Sequence, residues 1–547
     1  MKIDRNDPCP FGSGKNTRND VWIKKQIEYA NNECMKETLK KYFGYEDFKP
    51  LQEEIIRDVL DKRDVLVLMP TGGGKSLCYQ LPAVMMGGVT VVISPLISLM
   101  KDQVDDLQAI GIPAASINST LDYGRAFEIK KKLLSKHIKL LYVAPERIVL
   151  PNFYEFLRQL EVNLIAIDEA HCISEWGHDF RPEYRKLNLL KESFPDVPII
   201  ALTSTAVRQV QNDIVAQLKM GDYKIYRASL NRGNLFYEIR PKKNMYKAVL
   251  QYIRKRDGDS GIIYCQSRKS VENMAGKLRN DGVSALPYHA GLAPAARNEN
   301  QTKFINDDVS IIIGTIAFGM GIDKPNVRYV IHCDMPKSVE GYYQETGRAG
   351  RDGLKSDCIL FFSYGDKIKQ EYFINKINNE EYRKIATRKM WDMINYCKSE
   401  RCRRINLLGY FGERYNDGNC GMCDVCMPGM KTEREVTIAV NDEMLKKKKS
   451  AVSDYTVFDK DLFEILRKLR KEIAGRDHLP PYIVFSDVSL KEMAMRLPQD
   501  YDSFMEINGV GEIKLKKYGN LFLEIITGYC RDKGIKNVWG QIFILDS

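Results

Sequence analysis

Long apolar runs are missing from this 547-residue chain. The longest, such as 89–94 and 164–167, fall far short of the roughly 20 residues that a bilayer-spanning helix needs. The amino-terminal stretch 1–15 contains no apolar signal-peptide core. A membrane span is thereby excluded, and a cytoplasmic location is expected. A paired-cysteine framework is missing as well. Of thirteen cysteines, an odd number, most stand singly in strand-like or helix-like runs (Cys78, Cys265, Cys333, Cys358), as reduced buried thiols do. Charge is not strongly one-sided either: 83 Lys and Arg against 72 Asp and Glu leave +11, which favours a polyanionic partner without requiring one. The length fits three or four domains with full hydrophobic cores.

From Asp64 to about Thr205, β-branched runs alternate with helical stretches: 64–69, 89–94, 139–144, 164–168 and 199–203. Wholly apolar strands between helices predict a parallel sheet covered on both faces. A second set, 261–265, 311–314, 329–333 and 358–362, repeats the pattern, so two α/β domains in series are expected, with a crevice between them. After Tyr364 the sequence turns helical and charged, passes a cysteine cluster, and becomes a polar segment at 427–454 that contains Lys446–Lys449 and reads as a linker. Amphipathic helical periods resume from Tyr455 to Cys530 and predict a small all-α domain.

Met69-Pro70-Thr71-Gly72-Gly73-Gly74-Lys75-Ser76 follows the first strand and opens a helix. Its glycines let backbone N–H groups turn inward around phosphates, Lys75 adds a positive charge at the β/γ oxygens, and Ser76 offers a hydroxyl to Mg²⁺. Gly12-Ser13-Gly14-Lys15 has no strand before it and is not read as a nucleotide site. Asp168 and Glu169, at the end of a later strand, supply what phosphoryl transfer from ATP needs next: Asp168 to hold Mg²⁺ and Glu169 to polarise the attacking water. Upstream, Gln52 has a donor and an acceptor to pair with an adenine edge.

The second set of strands is followed by Gln344-Glu345-Thr346-Gly347-Arg348-Ala349-Gly350-Arg351-Asp352-Gly353. Arg348 and Arg351, three apart and on one face if helical, can reach across the crevice to the charge that spreads over a transferring γ-phosphoryl group; a surface salt bridge is the alternative reading. Directly after Asp168-Glu169-Ala170-His171 comes a loop with Trp176, His178, Phe180, Arg181 and Tyr184. Bases stack on such aromatic rings without demanding a sequence. The alternative, that Trp176 and Phe180 only pack the loop, weighs more for Phe180.

With these pieces in order the chain resembles the RecQ family of superfamily-two DNA helicases over about residues 38–426 and again at its carboxyl-terminal end. The resemblance is carried also by Ser94-Pro-Leu-Ile-Ser-Leu-Met-Lys-Asp-Gln103, Ala144-Pro-Glu-Arg147, Thr203-Ser-Thr-Ala206, Tyr264-Cys-Gln-Ser-Arg268, Tyr288-His-Ala-Gly-Leu292 and Ala317-Phe-Gly-Met-Gly-Ile-Asp-Lys-Pro325. It implies that Thr203 and Thr205 couple hydrolysis to domain movement. Asp323 and Arg351 would face ATP from the second domain, with Gln344 in the same machinery. His171 would link the nucleotide site to a loop, Trp176 to Tyr184, that senses single-stranded DNA. A 3′ to 5′ polarity is implied in the same way, with single-stranded and branched DNA as substrates and single-stranded-DNA-binding or repair proteins as partners.

Cys420-Gly421-Met422-Cys423-Asp424-Val425-Cys426 has metal spacing and, with a fourth thiolate, suits a closed tetrahedral Zn²⁺ site. Iron–sulfur binding competes, but the run continues Met427-Pro428 where a ferredoxin would add a fourth cysteine and proline. Cys397 and Cys402 are both candidates for the fourth ligand, and the family's Cys-Arg-Arg pattern favours Cys402. The resemblance breaks where family members carry a winged-helix domain of roughly a hundred residues, for which only 427–454 is available. The last helical region resembles the HRDC domain (helicase and RNase D C-terminal), in which Gly509-Val510-Gly511 with Lys514, Lys516 and Lys517 either meets phosphates or is a plain helix-joining turn with a solvated basic face.

The expected fold is thus α/β, two RecA-like parallel-sheet domains in tandem, followed by a helical zinc-binding module and a small all-α HRDC domain. The expected division is 1–35, an extension with a degenerate SEC-C-like motif in which no metal is expected; 36–230 and 231–364, the RecA-like domains; 365–428, the zinc module; 429–454, a linker; and 455–535, the HRDC domain.

Overall fold

The computed structural model describes residues 33–428 and 458–535, apart from Ser119, Thr120, His178, Asp179, Asp257, 319–323, His478 and the side chain of Ser98. The readings made for the SEC-C-like motif, for the linker, for His178 and for Asp323 lie outside the described residues.

Seven strands form the first sheet: β1 (Asp64–Leu68), β2 (Val89–Ile93), β3 (Ala114–Ile117), β4 (Leu140–Val143), β5 (Val162–Ile167), β6 (Ile199–Thr203) and β7 (Tyr223–Arg227). Their order is β3-β4-β2-β5-β6-β1-β7 and every pairing is parallel. β1, β2, β4 and β6 are buried on both faces, because helices cover the sheet from each side and leave no alternation to read. The second sheet has six strands: β8 (Leu235–Pro241), β9 (Ser260–Tyr264), β10 (Ala285–Tyr288), β11 (Ile311–Gly314), β12 (Val327–His332) and β13 (Ser356–Phe362), again all parallel, in the order β10-β11-β9-β12-β13-β8.

All nine strands expected from the sequence are present, counted as five in the first sheet and four in the second. β3, β7, β8 and β10 were not anticipated. β7 is an edge strand with exposed Tyr223, Lys224 and Arg227, and β10 is a short strand containing Pro287, so neither presents an apolar run.

Register brings three loops together. Leu68 pairs with Thr203, the Met69 N–H donates to the Thr203 carbonyl at 3.1 Å, and the Asp168 N–H donates to the Ile93 carbonyl at 2.9 Å. The carboxyl ends of β1, β5 and β6 therefore meet at one rim, where ligands of open α/β sheets bind. The zinc module is continuous with the second domain, since Met393, Ile394, Tyr396 and Leu407 share one core with Tyr237, Val330 and Leu360. The terminal helical domain has its own core around Leu466, Phe485, Phe504 and Phe522. It docks on the motor through Arg470, which pairs with Asp487 at 2.8 Å and stands 3.9 Å from Asp307, and through the Gly509 N–H, which donates to the Gly44 carbonyl at 3.1 Å.

Candidate nucleotide cleft and nucleic-acid interface

A cavity of about 400 Å³ opens between the domains, a size that suits a small-molecule ligand. The first domain lines it with Thr71, Gly72, Gly74, Lys75, Ser76, Asp168 and Glu169, and the second with Gln344, Arg348 and Arg351. Sequence positions almost three hundred apart are thus gathered at one site.

The phosphate loop is shaped by its glycines. Gly72 and Gly74 sit at φ +78° and +84°, and a Cβ on Gly74 would stand 2.4 Å from Nε2 of Gln52. Gln52 itself is buried, with its amide accepting from the Lys49 N–H at 2.8 Å and donating to the Gly74 carbonyl at 3.0 Å. In this arrangement the amide braces the phosphate loop instead of standing free for an adenine edge. Lys75 Nζ donates to the carbonyls of Met69 and Pro70 at 3.2 and 3.3 Å, contacts that an incoming phosphate would replace.

Asp168 is half-buried and its carboxyl pKa is pushed up to about 7, first by desolvation and then by the Glu169 charge, with Lys75 opposing. Glu169 holds a left-handed backbone, φ 48° and ψ 44°, which for a non-glycine costs on the order of 1–3 kcal/mol. The Asp168 carboxylate and the Ser76 hydroxyl line the same cavity and are hard oxygen donors of the kind Mg²⁺ takes together with phosphate oxygens, so Asp168 and Ser76 would hold it. Bound there, the ion would offset charge on the ATP phosphates.

Arg348 and Arg351 do not share a helix face. The helix Val339–Thr346 stops before them, and they occupy the turn that follows, in which Gly350 has φ +54°. That turn still aims both at the cavity. Arg348 is buried and its Nε has no hydrogen-bond partner in the structure, as fits a guanidinium whose partner is a ligand anion.

One residue that closes the cleft was missed from sequence. Arg232 donates to the carbonyl of Thr71 in the phosphate loop at 2.5 Å and to those of Gly347, Ala349 and Gly350 in the arginine turn at 3.2, 3.0 and 2.7 Å. Its own carbonyl is held by Arg404 of the zinc module at 2.7 Å. Asn231-Arg232-Gly233-Asn234 reads as ordinary loop sequence, so only the fold shows the clasp. Each hydrogen bond to a charged group contributes about 1.5–3 kcal/mol. Alanine at Arg232 should therefore lower ATP turnover by roughly 10–100-fold, with little recovery in Arg232→Lys because one ammonium cannot span four carbonyls; steady-state ATPase rates check this.

The terminal domain also reaches the cleft, which the sequence did not suggest: Tyr482, Ile483 and Lys514 line the cavity. Burial holds the Lys514 pKa down at about 8, with Asp106 opposing. The Gly509-Val510-Gly511 turn, read as a possible phosphate contact, faces the motor; a Cβ on Gly44 would stand 2.7 Å from the Gly511 nitrogen.

Beyond Glu169 the chain leads into the aromatic loop. His171 is fully buried, with Nδ1 3.0 Å from Thr203 Oγ1 and 3.3 Å from the Glu169 carboxylate. Thr203 Oγ1 in turn accepts from the Thr205 N–H at 3.3 Å. Trp176 is 36% exposed, enough to leave ring surface open. Phe180 is half-buried beneath the Arg185 guanidinium, 6.0 Å from the ring centroid. Arg181 donates to the Pro95 carbonyl at 2.8 Å and so braces the loop. Tyr184, grouped with the stacking residues by sequence, is a core residue whose hydroxyl donates to the Asp168 carbonyl at 3.1 Å.

Cys402, Cys420, Cys423 and Cys426 converge, all four Sγ atoms lying within 4.8 Å of one another. The separations are 3.8 Å between Cys420 and Cys426 and 3.9 Å between Cys423 and Cys402. Sulfurs bonded tetrahedrally to zinc at about 2.3 Å stand about 3.8 Å apart, so the set fits Zn²⁺. Cys397 is not in it; that thiol packs in the second-domain core. The Asp424 N–H donates to the Tyr237 carbonyl at 3.0 Å, and Cys423 bridges Tyr237 on edge strand β8. The cysteine loop therefore covers a sheet edge, and zinc bound there would serve structure.

A phosphate loop on one parallel sheet, faced by arginines from a second, defines the two-domain motors driven by nucleoside triphosphates. The family model described as DEAD/DEAH box helicase matches residues 49–213, the helicase conserved C-terminal domain 244–353, the RecQ zinc-binding model 364–427 and the HRDC domain 459–526. The ATP-dependent DNA helicase RecQ of Haemophilus influenzae is 39% identical over 89% of this chain and 95% of its own length. RecQ of Bacillus subtilis is 39% identical over 90% and 98%, and the RecQ-like DNA helicase BLM of Xenopus laevis is 45% identical over 77% of this chain and 34% of that protein. The solved structure of Mycobacterium smegmatis helicase Lhr bound to ssDNA and AMP-PNP, 15% identical with a TM-score of 0.50 over 64% of this chain and 56% of that one, shares the fold of the motor. The chain belongs to the RecQ family of ATP-dependent DNA helicases. Among the described residues no helix is long and apolar enough to cross a membrane.

Proposed function

We propose that this protein is an ATP-dependent DNA helicase that moves 3′ to 5′ on single-stranded DNA and acts on branched DNA in repair, recombination or replication, in the cytoplasm and alongside single-stranded-DNA-binding or repair proteins. The observation that carries the proposal is the His171 bridge, which joins Glu169 and Thr203 at the nucleotide site to the loop bearing Trp176. In the proposed cycle Lys75 and the Gly72–Gly74 loop grip the ATP phosphates and Glu169 orients water. Arg348 and Arg351 stabilise the charge that develops as the cleft closes. Trp176 stacks on a base, with Phe180 and Arg181 shaping the loop.

One aromatic stack contributes about 1–3 kcal/mol, so Trp176→Ala should reduce the DNA-stimulated part of ATP turnover by roughly 5–150-fold. ATPase rates measured with no nucleic acid, with single-stranded DNA and with RNA test the reading: rates indifferent to DNA would sink it.

A second reading is a DNA-stimulated translocase or an annealing and remodelling factor that separates duplexes weakly. It is favoured by the spacing between the zinc-module match, which ends at 427, and the HRDC match, which begins at 459. A forked-duplex displacement assay decides between them, because DNA-stimulated hydrolysis without strand release selects the second.

A further inference from the structure

The zinc module touches the aromatic loop directly. Its helix Glu380–Lys398 lies along the turn at 174–177, and Lys389 Nζ donates to the carbonyls of Trp176 at 3.0 Å and Gly177 at 3.2 Å. The same ammonium stands 3.4 Å from Oε1 of Glu340, so its three N–H donors face two carbonyls of the first domain and one carboxylate of the second. Tyr382, two turns earlier and on the same face, stands near the Glu175 carboxylate, whose charge raises its pKa after desolvation and which Arg185 pairs. The turn between is tight: a Cβ on Gly177 would stand 2.4 Å from the His171 carbonyl oxygen and 2.9 Å from that of Ser174. His171 and Lys389 therefore hold one turn from two directions, His171 from the first-domain nucleotide residues and Lys389 from the second domain.

Glu340 begins the relay on that second side. It lies in the first turn of the helix Val339–Thr346, one turn before Gln344 on the same face, and Arg348 follows the helix end. The helix is buried at Val339, Glu340 and from Tyr342 to Thr346, so it moves as a packed unit. The side chains of Lys389 and Glu340 are only 17% and 8% exposed, which limits the screening that makes surface ion pairs weak.

We propose that Lys389 is a positioning residue that transmits occupancy of the Trp176 loop, through Glu340 and the helix Val339–Thr346, to Gln344 and Arg348 in the nucleotide cleft. This rests on the reading of Trp176 as the base-stacking residue. The zinc module thereby acts as a third arm of the motor, joining the loop to the arginine turn by a route separate from His171.

Lys389→Met keeps the apolar stem and removes the charge. It should lower the ratio of ATP turnover with and without single-stranded DNA by roughly tenfold or more, within the range of coupling between sites, with zinc content unchanged. Lys389→Arg should restore part of the ratio, since a guanidinium can span the same acceptors. Glu340→Gln should lower the ratio too, and the double variant Lys389→Met with Glu340→Gln should fall no further than the worse single one. An undiminished ratio in Lys389→Met, beside a Trp176→Ala variant that has lost stimulation, overturns the relay and leaves the Trp176 reading standing. An undiminished ratio in Trp176→Ala overturns both. Additive losses in the double variant, or loss of zinc from Lys389→Met, would make Lys389 a separate or merely structural contact and also overturn the relay.

Discussion

Alanine at Arg348 is expected to lower kcat for ATP hydrolysis by roughly 10³-fold, the lower end of what a charge-stabilising arginine contributes to phosphoryl transfer. The reasoning begins with burial. Arg348 is 4% exposed, and its Nε is buried with no partner in the structure. Such an arrangement is costly unless an anion completes it. The side chain lines the same cavity as Lys75, Asp168 and Glu169 but comes from the other domain, so its contact with the γ-phosphoryl oxygens depends on closure. Removing it should therefore affect turnover more than ATP binding. Lys75→Ala provides the contrast, because Lys75 lies in the loop that cradles the phosphates before chemistry begins, and its loss should impair binding and turnover together. Arg348→Lys should recover only part of the rate, since a point charge does not reproduce a planar fork. Steady-state kcat and KM, together with titration of a fluorescent ATP analogue, separate the two cases. A kcat within about threefold of the parent protein would mean that Arg348 is a structural arginine and that the split site is misassigned.

The split site was legible where one residue type has one physical use. Three glycines before Lys75 and Ser76 at the end of an apolar strand leave little choice but a phosphate loop, and the structure places them at the rim with Asp168. Arg348 and Arg351 were found for their charge, although the helical spacing first read into them does not hold; Gly350 at φ +54° turns the chain so that both still reach the cavity. Tyr184 shows the limit of reading by type, because a buried tyrosine and a stacking tyrosine look alike until the fold assigns one to the core. Arg232, Lys389 and the place in the cleft of Lys514, which was read only as a phosphate contact or a solvated basic face, were invisible for a different reason. Each acts across a domain boundary, on carbonyls or a cavity supplied by residues more than a hundred positions away, and no local periodicity records such a contact. Gln52 was read as pairing with an adenine edge, yet its amide is used by the phosphate loop, at a Gly74 where a Cβ would stand 2.4 Å from it.

Serine at Cys423 is expected to release the zinc and to weaken far more than the cysteine loop. Cys423 is fully buried, bridges Tyr237 on β8, and stands 3.9 Å from Cys402. Its sulfur lies within 4.8 Å of those of Cys402, Cys420 and Cys426, and each of the four binds zinc as a thiolate, so a hydroxyl in its place breaks the set. The neighbouring Asp424 accepts from Arg403 at 2.8 and 3.1 Å in a buried two-point pair. Losing the metal would leave those groups without the geometry that satisfies them. Structural zinc contributes about 10–16 kcal/mol to the folding of small zinc domains, and losing even a third of that would lower the melting temperature by about 10 °C in a domain of this size. The damage should spread inward because Met393, Ile394, Tyr396 and Leu407 belong to the second-domain core and Arg404 holds the backbone of Arg232. ATP turnover in the presence of DNA should accordingly fall along with thermal stability, and a chelator should reproduce both effects in the unaltered protein. Metal analysis beside thermal melts, with and without chelator, checks the sequence of events. Unchanged zinc in Cys423→Ser would remove it from the ligand set, whereas zinc loss with an unchanged melting temperature would show that the module folds on its packing with the second sheet alone.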